Sequence, residues 1–395
     1  MMWFMNEERE LMRNVAREFV ENEVIPVSIE LDMKDEYPLQ LFRRAGELGL
    51  IGVVYPEEFG GLGGDWITKM LITEELSKGS PTLNIAIGAH SSLAGGVLNL
   101  LGTPEQKQKY LTPAVKGEQI LALASTEAAG CFNMAEFQSR AVLDGDEWVI
   151  NGNKIFITNI GVADTYIVTA RTADHYDHVT RKGFSMFIVE KGTPGLELGK
   201  FENKLGWHGS NTGPVYFKNV RVPKENLLGP LHEGVGAFAL SACDEYMSCA
   251  AVGLGIAEAC YDRALKYTKE RIQQGKSLYD AYQAIRHKFA RMATEIECLR
   301  ALAFNTAAIR DTGVYPLALA RMCKAKGYET AMFCATEAVQ VFGGLGTVTE
   351  TGVERYFRDA RLLGIAGGAI EALYDQINMF KDNNMEYIVR QAPQS

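Results

Sequence analysis

No uncharged apolar stretch among the 395 residues approaches the roughly 20 that a bilayer requires, so no membrane span is expected. The start, MMWFMNEERE, is acidic rather than basic and then apolar, which is not how a signal peptide reads, and the chain is expected to be cytoplasmic. Basic runs longer than a residue or two are missing as well, and 40 Lys plus Arg stand against 49 Asp plus Glu for a net charge of −9. That excludes a broad footprint for nucleic acid or an anionic membrane as partner. The seven cysteines are odd in number and show no C-x-x-C spacing. Four of them, Cys249, Cys260, Cys298 and Cys334, lie in Ala-, Leu- and Glu-rich helical sequence and read as small buried residues, not as a disulfide or zinc framework. The six histidines are scattered, and the one close pair, His175 and His178, falls in the polar TADHYDHVTRK, a hairpin loop by composition, so no metal is expected. Dinucleotide motifs are absent too. The glycine clusters GGLGG at 60–64 and GGLG at 343–346 follow no strand of a βαβ unit and match neither G-x-G-x-x-G nor G-x-x-x-x-G-K-[ST], so each alone reads as a turn.

What the chain does have is 47% hydrophobic and 23% charged residues, the balance of a globular protein with more than one core. Residues 1–118 read as a helical domain. In NEERELMRNVAREFVENEVIPVSIELD, Leu11, Val15, Phe19 and Val20 share a face, and Pro26 bends or interrupts the helix. Helical pattern resumes in ITKMLITEELSKG, and in PEQKQKYLTPAVKG Thr103 is the expected N-cap with Pro104 in the first turn. From 119 to 230 the period changes to short β-rich runs, WVINGNKIFITN, TYIVTAR, SMFIVEK and PVYFKNVRVP, as in a small antiparallel barrel or sandwich. From 231 to 395 long amphipathic helices return with short joints, as in an antiparallel four-helix bundle. The expected fold class is α+β: an N-terminal helical domain, a central β domain and a C-terminal bundle.

Six strings then carry a resemblance: PEEFGG at 56–61, GTPEQKQKYL at 102–111, NGNKIFITN at 151–159, VPKENLLG at 222–229, QVFGGLG at 340–346 and RYFRDAR at 355–361. Together, and in this segment order, the chain from about residue 5 to about 380 resembles the acyl-CoA dehydrogenase flavoproteins. The resemblance implies FAD held noncovalently between the β domain and the bundle, in a homotetramer where each site borrows residues from a neighbouring subunit. Through LALASTEAAG it implies flavin contacts from Ser125 and Thr126, and through NGNKIFITN it implies Phe156 beside the ring and Thr158 near N5. ERIQQGKSLYDAYQ aligns with the family's E-R-x-x-F-G-K-x-x-x-x-x-Q, which implies Arg271 at the pyrophosphate, with Gln274 standing where a Phe is usual. QVFGG implies Gln340, Gly343 and Gly344 at the adenosine diphosphate, where glycine lets the backbone approach.

The reaction so implied is α,β-dehydrogenation of an acyl-CoA thioester. A carboxylate takes the α-proton, the β-hydrogen leaves as hydride to flavin N5, and electron-transfer flavoprotein reoxidises the flavin. Such a base must be desolvated and the thioester carbonyl polarised. Most members carry the Glu in a string like I-Y-E-G-T-S-Q-I, but here that position is Gly367, in IAGGAIEA at 365–372, and Glu371 lies a helical turn beyond. Isovaleryl-CoA and long-chain acyl-CoA dehydrogenases hold the base on the first long helix of the bundle, and resemblance to them implies Glu245. Glu245 heads a helical series with Cys249, Val252 and Ile256, which would turn it inward and raise its pKa. Read instead as half of an exposed Asp244–Glu245 pair at a helix start, it would only favour the helix dipole. The backbone N–H of Gly367 remains to donate to the thioester oxygen. The family's T-E-P-G-A-G-S-D reads TEAAGCFN at 126–133, so Phe132 and Asn133 replace Ser and Asp, and Tyr246 replaces the Arg after the base. Phe132, Tyr246 and Gly367 are therefore the expected substrate-side residues, with His90, Ser91 and Ser92 as further pocket candidates. The departures leave open enoyl-CoA reduction, a desulfinase with a similar I-A-G-G string, and a noncatalytic FAD-binding paralogue.

Overall fold

Asn6 accepts the Arg9 N–H at 2.8 Å and starts α1 (Glu7–Phe19), whose first turn carries Glu7, Glu8 and Glu10 against the helix dipole. The α-helix is interrupted where Pro26 led one to expect it. Residues Val20–Val24 widen into a π-helix and α2 (Ile25–Lys34) begins with Pro26 in its first turn, where a missing N–H costs little. The computed structural model describes residues 3–130, 134–178 and 180–389. Further along come α3 (Leu39–Glu47), α4 (Trp66–Gly79), α5 (Pro81–Gly88) and α6 (Gly96–Leu101). Thr103 and Gln106 then form a reciprocal capping box on α7 (Pro104–Gln106), which runs on through a π turn into α8 (Thr112–Val115). Every residue of α4 from Ile67 to Ser77 is buried, because the N-terminal core lies on one side and the bundle on the other.

The middle of the chain forms one eight-stranded sheet: β1 (Leu121–Ala124), β2 (Arg140–Asp144), β3 (Glu147–Thr158), β4 (Thr165–Arg171), β5 (Phe184–Glu190), β6 (Leu196–Leu198), β7 (Thr212–Pro223) and β8 (Leu227–Leu228). Its order is β6-β7-β3-β2-β4-β5-β8, with β1 also paired to β4. Both β1 and β2 run parallel to β4 while the other pairings are antiparallel, so the sheet is mixed and open, not an antiparallel barrel. The β2–β3 excursion is the long crossover that a parallel β1–β4 pair requires. β4 and β5 are buried along almost their whole length, which accounts for their unbroken apolar runs. His175 and His178 lie in the loop joining these two antiparallel strands.

The bundle comprises α9 (Gly234–Glu270), α10 (Leu278–Ala281), α11 (Gln283–Asp311), α12 (Leu317–Phe342), α13 (Val353–Leu363) and α14 (Ile370–Asp382). α9 and α12 touch backbone to backbone: a Cβ on Gly253 would lie 2.4 Å from the Gly327 carbonyl oxygen, so only glycine allows this approach. Cys249, Cys260 and Cys334 are buried as expected, but Cys298 is exposed, on the solvent side of α11 with Thr294 one turn before it. α13, from RYFRDAR, ties the three regions together. Arg355 donates to the Ser28 and Gly79 carbonyls at 3.2 and 2.8 Å, Arg358 pairs with Asp32 at 2.6 Å, and Asp359 accepts the Trp207 N–H at 2.6 Å. Hydrogen bonds to charged groups contribute about 1.5–3 kcal/mol each, so this short helix is a principal inter-region fastener. Among the described residues no helix is long and apolar enough to cross a membrane. No group of three or more His, Cys, Asp or Glu side chains among them could hold a metal ion.

Candidate active site

Between α5 and α6 the backbone widens into a π-helix, Ala89–Gly95, a form that recurs at functional sites. Ser241 on α9 fastens it by donating to the Ser92 and Leu93 carbonyls, both at 2.8 Å. That contact presents Ser91 and Ser92 to a cavity of about 90 Å³, whose walls also include Lys69 from α4 and Asp244 from α9. A larger cavity of about 380 Å³ lies on another side of α9, lined by Ala242 and Tyr246 one turn apart, with Phe238, Arg321, Met134 and Tyr176. Glu245 belongs to the same turn. Its two carboxylate oxygens would lie 3.1 and 3.2 Å from a Cβ at Gly88, so the bare glycine gives the carboxylate its room. The residue as a whole is half-buried, yet Oε2 is closed off from solvent and has no hydrogen-bond partner. Burial pushes its pKa up to about 7, with Asp244 adding to the rise while Lys69, Ser92 and Lys324 pull the other way. The exposed-pair reading therefore fails. Asp244 is itself buried, paired to Arg310 at 2.7 Å, and burial lifts its carboxyl to about 6.

Tyr246 and Gly367 meet directly, the phenol donating to the Gly367 carbonyl at 2.9 Å. Gly367 sits in the left-handed region at φ 66, and the same turn is held from below by the buried Lys324, which donates to the Ala366 and Gly368 carbonyls. A Cβ at 367 would lie 3.5 Å from Lys324 Nζ, so Glu245, Tyr246, Lys324 and the 366–368 turn form one neighbourhood. Glu371 stands exposed on the first turn of α14. His90 is no wall of either cavity. Its Nε2 donates to the Ala114 carbonyl at 3.0 Å, its Nδ1 accepts the Leu121 N–H at 2.9 Å, and burial lowers its pKa to about 4, so it is a neutral strut between α8 and β1. Phe132, with Cys131 and Asn133, lies outside the described residues. Lys69 and Lys324 were not singled out from the sequence. Lys69 shares a helical stripe with Ile72, Thr73 and Leu76, and a lysine inside such a stripe was the available signal.

The residues expected at a flavin fall in two places. At the sheet, the Ser125 carbonyl is occupied by Lys154 Nζ at 3.0 Å, and the Thr126 carbonyl accepts the Ile155 N–H at 2.9 Å, joining the end of β1 to β3. The β3–β7 register breaks between Lys154 and Ile157, and in that break Phe156 takes φ 53 and turns outward with 61% of its surface exposed. Thr158 follows, half-buried and paired with Thr212. An aromatic ring in a left-handed conformation and open to water is costly unless something flat and apolar covers it. The ring of a flavin is such a cover, so these residues fit the cofactor. The second place is the far end of the bundle, where Tyr267 stacks on Phe342 at 4.4 Å and brings together the chain ends after them. Arg271, Gln274, Gln340, Gly343 and Gly344 are all exposed there, and a Cβ at either glycine would meet nothing within 4 Å. An open, donor-bearing corner fits the phosphate end of a dinucleotide.

Comparison with known proteins bears on the whole chain. The family descriptions "Acyl-CoA dehydrogenase, N-terminal domain", "middle domain" and "C-terminal domain" match residues 6–118, 122–220 and 234–380. A short-chain-specific acyl-CoA dehydrogenase of Clostridium acetobutylicum is 40% identical over 92% of this chain and 95% of its own length. The CarC subunit of a caffeyl-CoA reductase–Etf complex from Acetobacterium woodii is 34% identical over 92% of this chain and 96% of its own. Among solved structures, butyryl-CoA dehydrogenase from Megasphaera elsdenii superimposes with a TM-score of 0.91 at 35% identity, covering 96% of this chain and 99% of that one.

Proposed function

The chain belongs to the acyl-CoA dehydrogenase family, and we propose from that premise that it is an FAD-dependent oxidoreductase of acyl-CoA thioesters in which Glu245 takes the α-proton. One observation carries the assignment of the base: a carboxylate held out of water, with Oε2 unbonded and a pKa of about 7, lies within the field of Lys324, the same ammonium that a side chain at the bare position 367 would meet. A base poised near the working pH is what abstraction from a weak carbon acid requires. When Glu245 accepts the proton it becomes neutral, which relieves the cost of a buried charge at the moment of transfer. The Gly367 N–H is the donor assigned to the thioester oxygen, with the turn around it oriented by Tyr246 and Lys324. Bound FAD supplies the acceptor for the β-hydrogen, which leaves as hydride. Phe156 would pack against the flavin ring and Ser125, Thr126 and Thr158 would hold its edge, while Arg271, Gln274, Gln340, Gly343 and Gly344 would hold the adenosine diphosphate of a neighbouring copy in a homotetramer. Tyr246 and Gly367 are assigned to the substrate side, and Phe132, outside the described residues, is assigned there from the sequence alone. Electron-transfer flavoprotein is the proposed redox partner, in line with the Etf complex named for the Acetobacterium relative. The same reading takes 1–118, 119–230 and 231–395 as the domains and the cytoplasm as the compartment.

The test is anaerobic mixing of the holoprotein with acyl-CoA thioesters of different chain lengths. At least one should bleach the flavin, and Glu245→Gln should abolish the bleaching; bleaching at the wild-type rate in that variant would remove Glu245 as base. A second reading, physiological reduction of an enoyl-CoA, is favoured by the reductase among the relatives. Faster oxidation of reduced flavin by enoyl-CoA than reduction by acyl-CoA would select it.

A further inference from the structure

Two polar groups near Glu245 have no part in the proton transfer. Lys69 is 4% exposed, and its ammonium makes one hydrogen bond, 3.3 Å to Ser91 Oγ, with no ion pair among the described residues. An ammonium carries three donors, so two are unmet. Ser92 Oγ is likewise buried, and beyond its interaction with the Glu245 carboxylate it has no close hydrogen bond. Both side chains line the 90 Å³ cavity, and both act on the Glu245 carboxylate, so the cavity opens beside the proposed base. The other charges in its wall cancel. Arg310 is committed to Asp244 at 2.7 Å and lies over the Tyr315 ring at 3.7 Å, which leaves Lys69 as the net charge of the lining. Burial lowers the Lys69 pKa to about 8 although Glu245 raises it, so the ammonium is still mostly protonated at neutral pH.

A hydrocarbon tail in this space would leave both groups stranded, whereas an anionic end would supply the missing acceptors. The space is small, about 90 Å³, the liquid volume of roughly three waters. We propose that the cavity receives the far end of the acyl group and that Lys69 selects a short chain ending in a carboxylate-sized anion over one ending in methyl. The proposal rests on the reading of Glu245 as the residue beside the α-carbon.

Its test separates it from that reading. The holoprotein is titrated calorimetrically with two CoA thioethers, S-(3-carboxypropyl)-CoA and S-butyl-CoA. Neither has a thioester carbonyl or an acidic α-proton, so their binding does not depend on the base. The carboxylate-ended probe should bind at least ten-fold tighter, Lys69→Met should reverse the preference, and Lys69→Gln should fall between. Equal or tighter binding of S-butyl-CoA by the wild-type protein overturns the proposal, as does an unchanged ratio in Lys69→Met. The wild-type ratio and Ser92→Ala, expected to shrink it about three-fold, decide the matter if Lys69→Met does not fold. Failure of every acyl-CoA to bleach the flavin would instead strike the dehydrogenase reading and leave the thioether ratio standing.

Discussion

Two buried lysines, one under the sheet and one beside the bundle, answer the same problem in opposite ways. Burial drives both ammonium groups down to a pKa of about 8. Lys154 is fully provided for: it pairs with Glu127 at 2.7 Å, donates to the Ser125 carbonyl at 3.0 Å and lies over the Phe137 ring at 5.0 Å. Glu127 in turn accepts the backbone N–H groups of Gln138 and Ser139. Lys69 has one weak hydrogen bond, and the nearby Glu245 has an oxygen with none. A polar cluster whose members satisfy one another is scaffold, and here it orients the strand ends where a flavin would lie. A cluster left unsatisfied in the same protein marks where a ligand belongs.

That contrast can be broken most forcefully at the base. Glu245→Gln should lower turnover by about a thousand-fold, while stopped-flow and calorimetry show S-butyl-CoA affinity changed by no more than about three-fold; a loss in affinity alone would make Glu245 a structural residue. Next comes stability. Lys154→Met leaves the Glu127 carboxylate without its partner and should cost about 3–5 kcal/mol in denaturant unfolding, together with flavin content, whereas Lys69→Met should be neutral or stabilising. Equal losses would erase the distinction between the two lysines.

The pH dependence is a third measure. Glu245 faces Lys69 from α4, Lys324 from α12, Ser92 from the π-helix, and Asp244 and Cys249 from its own helix. The logarithm of kcat/KM should rise with pH and level off above about 7, the pKa of the carboxyl that must be ionised. Stability should move the other way. A carboxyl raised from 4.5 to about 7 holds its proton longer in the folded state, so folding loses roughly 3 kcal/mol as pH climbs through that window. Glu245→Gln should therefore gain stability over the wild type at pH 8 relative to pH 4.5, read by denaturant titration at both values. The smallest effect belongs to Tyr246→Phe, which removes one hydrogen bond to Gly367 and should cost about 1 kcal/mol of transition-state stabilisation in kcat/KM.

Much of this was legible in the residues themselves. The spacing of Glu245 to Cys249, Val252 and Ile256 allows an inward turn but does not choose it over an exposed helix start, a choice that the resemblance made, whereas the Thr103 cap follows from T-P-E-Q. What periodicity does not report is partnership. The β-rich run TYIVTAR identifies β4 as a strand, and the resemblance gives β1, but neither tells that the two run parallel, since direction is decided by a crossover elsewhere in the chain. A β-rich run likewise identifies NGNKIFITN as a strand but not the register break that turns Phe156 out. Lys69 escaped for a related reason: an amphipathic helix is assumed to have a wet side, and α4, covered by two cores, has almost none.

The fastening of the three regions by α13 has a consequence for recombination. The middle segment that matches residues 122–220 looks like a cassette, yet its Trp207 N–H is received by Asp359 in the bundle, while Arg355 and Arg358 on the same helix hold Ser28 and Asp32. A hybrid carrying that segment from a relative would inherit a working sheet and a foreign seam. Its success should follow the match at those few residues on α13 more closely than overall identity, so that the unit of inheritance in this architecture is the joint.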